Sequence, residues 1–486
     1  MVFDPSRPIM NPLGFEVFDV SSRTGFMPPR PPLGRLPAPW TVWEELLDDA
    51  RRERLQPGDK LGLTTAEMAH SERWRAGVRQ MPLLDMNDPE TSTEHLRRAH
   101  LVLTFLMHFY IHTLPPTSSI VIPRPISIPL LQVAKILDLP PVITFSDTVL
   151  YNWKLGENFS DSDSLKSLNL SDIQCHTLFT NTRDEIAFYL CSARIELHGV
   201  QALNIMRSSM DEIFVGDSLA ITRLTTYLTS LATVIDELKL LLLEVRKECD
   251  PEIYYNAVRP WFRGEDSDTY LVPGSGKKRR WIFEGAGDYT DLNMLPPDRE
   301  LSGASAGQSS LIHALDVFLG VNHEQPNAPS FMKRMQRYMP RQHRRFLDHL
   351  GKNPRSLREF VLSASSRDSN DDRGLALKDA YNKAVMSLKE FRDSHMIIAA
   401  LYIIGPARRA AEAAAASLAK VAAVQVEARA ELKSLVNVQT GPGGTMPDPL
   451  NGITGTGGTD LVQFLKGVRN RTVRNLLPDE EYVQSC

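Results

Sequence analysis

Apolar residues recur at helical spacing along most of this chain. From Asp184 to Glu248 it is almost free of proline and glycine, and Leu224, Leu228, Leu231, Ile235, Leu238, Leu242 and Val245 form one long stripe. Few paired charges flank that stripe, so it predicts the seam of an intramolecular helix bundle rather than a dimeric coiled coil. A helix over about His95 to His112 places Leu101, Phe105, His108 and Ile111 on one face. Further helices are expected over Ser127–Leu139, Gln308–Val321, Ser330–Arg337, His343–Leu350, Ser356–Leu362, Leu377–Ile404 and about Asp460 to Leu477. Thr41-Val42-Trp43-Glu44 has the form of a capping box opening a first helix. Extended signals are few, and Val142–Phe145 is the best strand-like run. The expected fold class is mostly α.

Breaks in the pattern mark the organisation. Pro28, Pro29, Pro31, Pro32, Pro37 and Pro39 crowd the first 40 residues, which reads as an extended segment over a domain surface. Residues 407–436 are rich in alanine with interspersed charges, a composition of high helix propensity and little large apolar surface. Glycine clusters at Gly441-Pro442-Gly443-Gly444 and from Gly452 to Gly458 separate that stretch from the last helix.

Composition narrows the class without naming a chemistry. A chain of 486 residues can hold two domains or one large one. A net charge of −4 supplies no basic surface for nucleic acid. No run of 18 apolar residues is present, so no membrane span is expected. The N-terminus lacks the basic and apolar regions of a secretory signal. Cys175, Cys191, Cys249 and Cys486 are scattered, with neither zinc-site nor disulfide-scaffold spacing, which fits a reducing cytoplasm.

Four segments could carry chemistry. Phe391, His395, Ile398 and Tyr402 share one helical face, so His395 must find partners for its ring nitrogens among apolar neighbours. A haem iron is one such partner; a hydrogen-bonded core histidine is the alternative. Ser305-Ala306-Gly307-Gln308-Ser309-Ser310 is a small-residue turn that would let a large planar ligand approach, or simply a tight junction with Ser309 or Ser310 as N-cap. In Tyr254-Tyr255-Asn256-Ala257-Val258-Arg259, a helical spacing of four would place Arg259 against Tyr255, as a carboxylate-binding or a merely stacked arginine. Gly455-Thr456-Gly457-Gly458-Thr459 has neither the lysine nor the preceding strand of a phosphate loop; it is a glycine lid with Thr456 at its tip, or a linker. Paired carboxylates, a Ser-His-Asp set and zinc-ligand spacings are all missing, so an enzyme built on this chain would draw its reactivity from a cofactor.

In order along the chain, Leu139-Pro140-Pro141-Val142 with Asp147 to Trp153, the Arg259 segment, Ser305 to Ser310, Asp316-Val317-Phe318-Leu319-Gly320, Arg337-Tyr338-Met339-Pro340, Ser394-His395 and Gly455 to Leu461 resemble the indoleamine 2,3-dioxygenases, in their fungal form. The resemblance implies a two-domain α protein, with a small N-terminal domain over 1–153 and a large helical haem-binding domain over 154–486. Residues 407–447 would be an Ala-rich insertion. It also implies haem b with ferrous iron, a likeness to enzymes that insert both atoms of dioxygen into the indole double bond of L-tryptophan, and N-formylkynurenine as product on the kynurenine route toward NAD. A cytoplasmic monomer is expected.

Residue by residue, His395 resembles the proximal haem ligand and Arg392 an arginine near a haem propionate. Ser305, Ala306 and Gly307 resemble the turn beside the haem. Arg259 resembles the partner of the substrate carboxylate, and Tyr254 and Tyr255 the distal aromatic pair, whose first member is often Phe in the family. Phe145, Thr148, Val149, Phe188 and Ser192 resemble the indole pocket, and Thr456 the mobile loop. Two other readings stay open: a paralogue acting on another indole derivative in secondary metabolism, and a haem-binding helical scaffold without activity.

Overall fold

A computed structural model describes residues 15–86, 91–156, 171–271, 278–287, 300–323, 330–366, 372–413, 415–416 and 461–478. Helices dominate. The first four are α1 (Thr41–Arg52), α2 (Thr65–Gln80), α3 (Thr93–His112) and α4 (Arg124–Leu137). Next come α5 (Arg183–His198), α6 (Val200–Val215), α7 (Ser218–Glu248) and the single turn α8 (Pro251–Ile253). The remainder are α9 (Ser310–Leu319), α10 (Phe331–Met335), α11 (Arg341–Gly351), α12 (Leu357–Ser366), α13 (Asp372–Ala399) and α14 (Leu461–Val473). Strands are minor: β1 (Ile120–Ile122) pairs in parallel with β4 (Trp281–Phe283), and β2 (Trp153–Leu155) antiparallel with β3 (Ile173–Cys175).

The stripe on α7 is a core seam, as expected. Leu224, Leu228, Leu231, Ile235 and Leu238 are fully buried, and α7 packs chiefly against α13 and α6. Helix α3 is buried on every side from Arg98 to Ile111, the pattern of a helix inside a core. An aromatic stack ties it to the rest: Phe105 lies 4.2 Å from Phe179, and Phe179 lies parallel to Trp261 at 5.5 Å. That stack fixes the chain just after Arg259.

Two local expectations fail. The first helix starts after Trp40 without a side-chain cap, and the capping box sits at α2 instead, between Thr64 and Glu67. Thr41 lies one residue too far along to cap, because helix α1 has already begun there. Val142–Phe145 forms no strand. Its backbone N–H groups find acceptors outside any sheet: Val142 donates to the Pro140 carbonyl, Ile143 to His108 Nε2, Thr144 to Asp147 and Phe145 to Gln308 Oε1. Apolar side chains there bury as they would in a strand, but the donors are already spent.

Candidate active site

A large cavity lies between α5, α7, α13 and α14. Its empty volume is about 1760 Å³, counting the part continuous with solvent.

One wall is the face of α13 read from sequence. Phe391, His395, Ile398 and Tyr402 all line the cavity. His395 is half-buried and makes no hydrogen bond to any described residue. Burial, reinforced by the positive charge of Arg392, pulls its imidazole down to about 4, so the ring is neutral near pH 7 with a lone pair available to a metal. Arg392 also lines the cavity, but its guanidinium is committed. One terminal nitrogen donates to Asp316 Oδ1 on α9 at 2.5 Å, and the other to Thr472 on α14. His323 Nε2 sits 2.8 Å from the other Asp316 oxygen. Burial alone would raise the Asp316 carboxyl; Arg392 and His323 reverse that and hold it at about 2.

An aromatic patch adjoins this wall. Phe188 of α5 lies 4.4 Å from Tyr254, which in turn meets Tyr402 edge-on at 5.8 Å. The Tyr254 hydroxyl makes no hydrogen bond to any described residue, and burial pushes the phenol above its ordinary range. Phe262 stacks near Phe188 at 6.2 Å. Gly303 brings the Ser305 turn against this wall: a Cβ there would stand 1.8 Å from the Phe262 carbonyl, so only glycine permits the approach. Ser305 caps a short 3-10 turn over Ala306–Gln308, and Ser309 then caps α9 by accepting from the Ile312 N–H.

Three π-helical turns border the cavity, a form of helix often found at functional sites. They span Ser146–Leu150, Tyr254–Val258 and Ala400–Ile404, and each contributes wall residues: Thr148 and Val149, Tyr254, then Tyr402 and Ile403. Sequence periodicity misses all three, because one extra residue per turn leaves no compositional trace.

Most predicted site residues converge. His395, Arg392, Ser305, Ala306, Gly307, Tyr254, Phe145, Thr148, Val149, Phe188 and Ser192 all line the cavity. Arg259 and Tyr255 do not. The Arg259 guanidinium lies 5.4 Å over the Tyr255 ring, and burial lowers its pKa against the opposing pull of Tyr254 and Tyr255. Thr456 and the glycine loop fall outside the described residues, as does most of the Ala-rich stretch. Sequence reading missed Glu196. It follows Phe188 and Ser192 at intervals of eight and four on the cavity face of α5, and is 1% exposed. Ser309 Oγ donates to its Oε1 at 2.5 Å, while Oε2 has no partner. A lone acid on an otherwise apolar helical face was the available signal.

Comparison with known proteins settles the family. The indoleamine 2,3-dioxygenase family model matches residues 14–475. The chain belongs to the indoleamine 2,3-dioxygenase family. Its members are haem-dependent dioxygenases acting on indoles, so this chain is an oxidoreductase with an indole and dioxygen as reactants. It is 32% identical to the Saccharomyces cerevisiae indoleamine 2,3-dioxygenase, over 96% of this chain and 95% of that protein. An Aspergillus nanangensis indoleamine 2,3-dioxygenase is 30% identical over 94% of this chain and 96% of its own length. A Fusarium equiseti 6-hydroxytryptophan 2,3-dioxygenase is 28% identical over 95% of this chain and 97% of its own length. The residues present fit the cofactor: a neutral imidazole with no partner among the described residues faces a mostly apolar cavity, beside a turn of small residues.

Proposed function

We propose that this enzyme converts L-tryptophan to N-formylkynurenine, with His395 as the residue that would hold the iron of haem b. The observation that carries the reading is His395 itself, neutral, without a partner among the described residues and set among Phe391, Ile398 and Tyr402 on the cavity wall. A half-buried imidazole among apolar side chains, with its ring nitrogens unpaired, is completed by a ligand. Bound haem with ferrous iron supplies dioxygen binding and the delivery of both oxygen atoms to the indole double bond.

The chain's own residues bind, orient and exclude water. Arg392, pinned by Asp316 and Thr472, holds a fixed positive charge one helical turn before His395, suited to a haem propionate. Ser305, Ala306 and Gly307 leave space for a flat ring system to approach the backbone. Phe145, Thr148, Val149, Phe188 and Ser192 frame the indole, and Tyr254 closes over it. Arg259, backed by Tyr255, takes the amino-acid carboxylate, and Thr456 belongs to the loop that closes on substrate. We place the enzyme in the cytoplasm on the kynurenine route toward NAD, working as a single chain.

A second reading, an indole derivative as the preferred substrate, is favoured by one feature. The buried Tyr254 hydroxyl, free of described partners, offers a hydrogen bond to a substituent on the ring. The test of both is direct. Protein purified from haem-supplemented cells is incubated with ascorbate, methylene blue and either L-tryptophan or 6-hydroxytryptophan, and the ring-opened products are quantified. Efficient formation of N-formylkynurenine supports the first reading; turnover of the hydroxylated substrate alone sinks it.

A further inference from the structure

The turn that carries Phe145, Thr148 and Val149 is held from behind by a histidine whose protonation can be read from its partners. His100 on α3 is 1% exposed, and Asp147 in the π-turn is 3% exposed. His100 Nδ1 lies 2.8 Å from Asp147 Oδ1, and Nε2 lies 3.1 Å from the Pro140 carbonyl oxygen. Both partners are acceptors that carry no proton of their own when Asp147 is ionised. A neutral imidazole can donate only once, so satisfying both bonds requires a proton on each ring nitrogen. His108, two turns later on the same helix, shows the contrast. Its Nδ1 donates to the Trp261 carbonyl at 2.7 Å while Nε2 accepts from the Ile143 N–H, which is the neutral form.

Asp147 passes the restraint onward. Its Oδ2 accepts from the Thr144 N–H at 2.8 Å and from Thr144 Oγ1 at 2.7 Å. The segment from Pro140 to Asp147 is therefore clamped at both ends by one ring, and the rest of the π-turn follows directly from it. Phe145 lines the cavity from the clamped segment, and Thr148 and Val149 from the rest of the turn.

We propose that His100 is a positioning residue, held as a buried imidazolium whose two N–H bonds fix the turn that shapes the indole pocket. The proposal rests on the reading of the cavity as an indole site. Its direction agrees with the local electrostatics. Burial opposes the charge, but the Asp147 carboxylate and the Pro140 carbonyl outweigh it and raise the imidazole above 6.5, while Arg97 one turn earlier on α3 pulls the other way. Arg97 is itself occupied, paired with Asp19 at 3.3 Å and stacked on Tyr151 at 4.2 Å.

Two readouts on the haem-loaded full-length protein test it. In long-range proton–nitrogen spectra of histidine-labelled protein at pH 7, the signal missing from His100→Gln should show both nitrogens protonated. A signal with one unprotonated nitrogen overturns the proposal. Should His100→Gln not fold, Asp147→Asn identifies the same signal by displacing it. In steady state, His100→Gln or Asp147→Asn should raise KM for tryptophan about tenfold or more with kcat largely kept, as expected when charge-assisted bonds that shape the binding pocket are lost. An unchanged KM, or a fall in kcat alone, overturns the positioning role. Absence of tryptophan turnover by the parent protein would instead sink the function proposed above, while the nitrogen spectrum still decides the imidazolium.

Discussion

Replacing Glu196 by glutamine tests the polar end of the cavity in numbers. The carboxyl is 1% exposed, accepts one bond from Ser309 and leaves Oε2 without a partner. Burial pushes it up to about 7 against the single lowering contribution of Ser309, from an ordinary 4.5. The folded chain therefore keeps a proton between pH 4.5 and 7 that the unfolded chain releases. With the acid raised, this group contributes least penalty below pH 4.5, and folding stability falls as pH rises toward 7, then levels. The interval from 4.5 to about 7, at roughly 1.4 kcal/mol per pH unit, amounts to about 3 kcal/mol. Glutamine mimics the neutral acid: its carbonyl can accept from Ser309, and its amide takes the place of the protonated oxygen. Glu196→Gln should therefore gain on the parent by up to about 3 kcal/mol between pH 5 and pH 8, with other groups cancelling in the comparison. Urea unfolding followed by circular dichroism at both pH values, with equal denaturant slopes, measures the difference. A constant offset between the two proteins across that range would refute a buried, raised carboxyl at this position.

Other consequences follow from the same contacts. Asp316→Ala strands the buried Arg392 guanidinium and should cost about 3–5 kcal/mol in urea unfolding, as for a broken buried ion pair. Leu228→Ala, in the fully buried α7 seam, should cost about 2–5 kcal/mol by the same assay. If Arg259 takes the substrate carboxylate, Arg259→Ala should raise KM for tryptophan by roughly tenfold or more while a descarboxy indole amine is unaffected. An equal loss on both substrates would remove that assignment. Tyr254→Phe should alter the ratio of kcat/KM for 6-hydroxytryptophan over tryptophan, and an unchanged ratio would discard the phenol as a determinant of substrate choice.

What could be read from the chain, and what could not, divides along contact range. The α7 stripe and the Phe391–His395–Ile398 face of α13 are period-3.6 patterns within one helix, and both stand in the fold as expected, while Tyr402 reaches the same cavity from the π-turn that follows. Ser309 as an N-cap is likewise local. Apart from the capping box misplaced at Thr41, the failures involve partners far apart in sequence. Val142–Phe145 has the composition of a strand, but His108 and Gln308 take N–H groups that a ladder would need. Arg392 shows nothing of its commitment to Asp316, 76 residues away. Glu196 and Asp316 are each an acid on a helix face otherwise apolar, a signal that marks a buried charge without naming its partner. The π-turns leave no pattern at all, since their residues are ordinary and only the hydrogen-bond register differs.

The central claim is that His395 is the protein ligand of haem iron. Absorption spectra of the full-length protein and His395→Ala, both purified from haem-supplemented cells, test it most directly. A Soret band in the parent that is lost or strongly displaced in the variant, with the variant still folded by circular dichroism, is the predicted result. An identical Soret band in both proteins would contradict it.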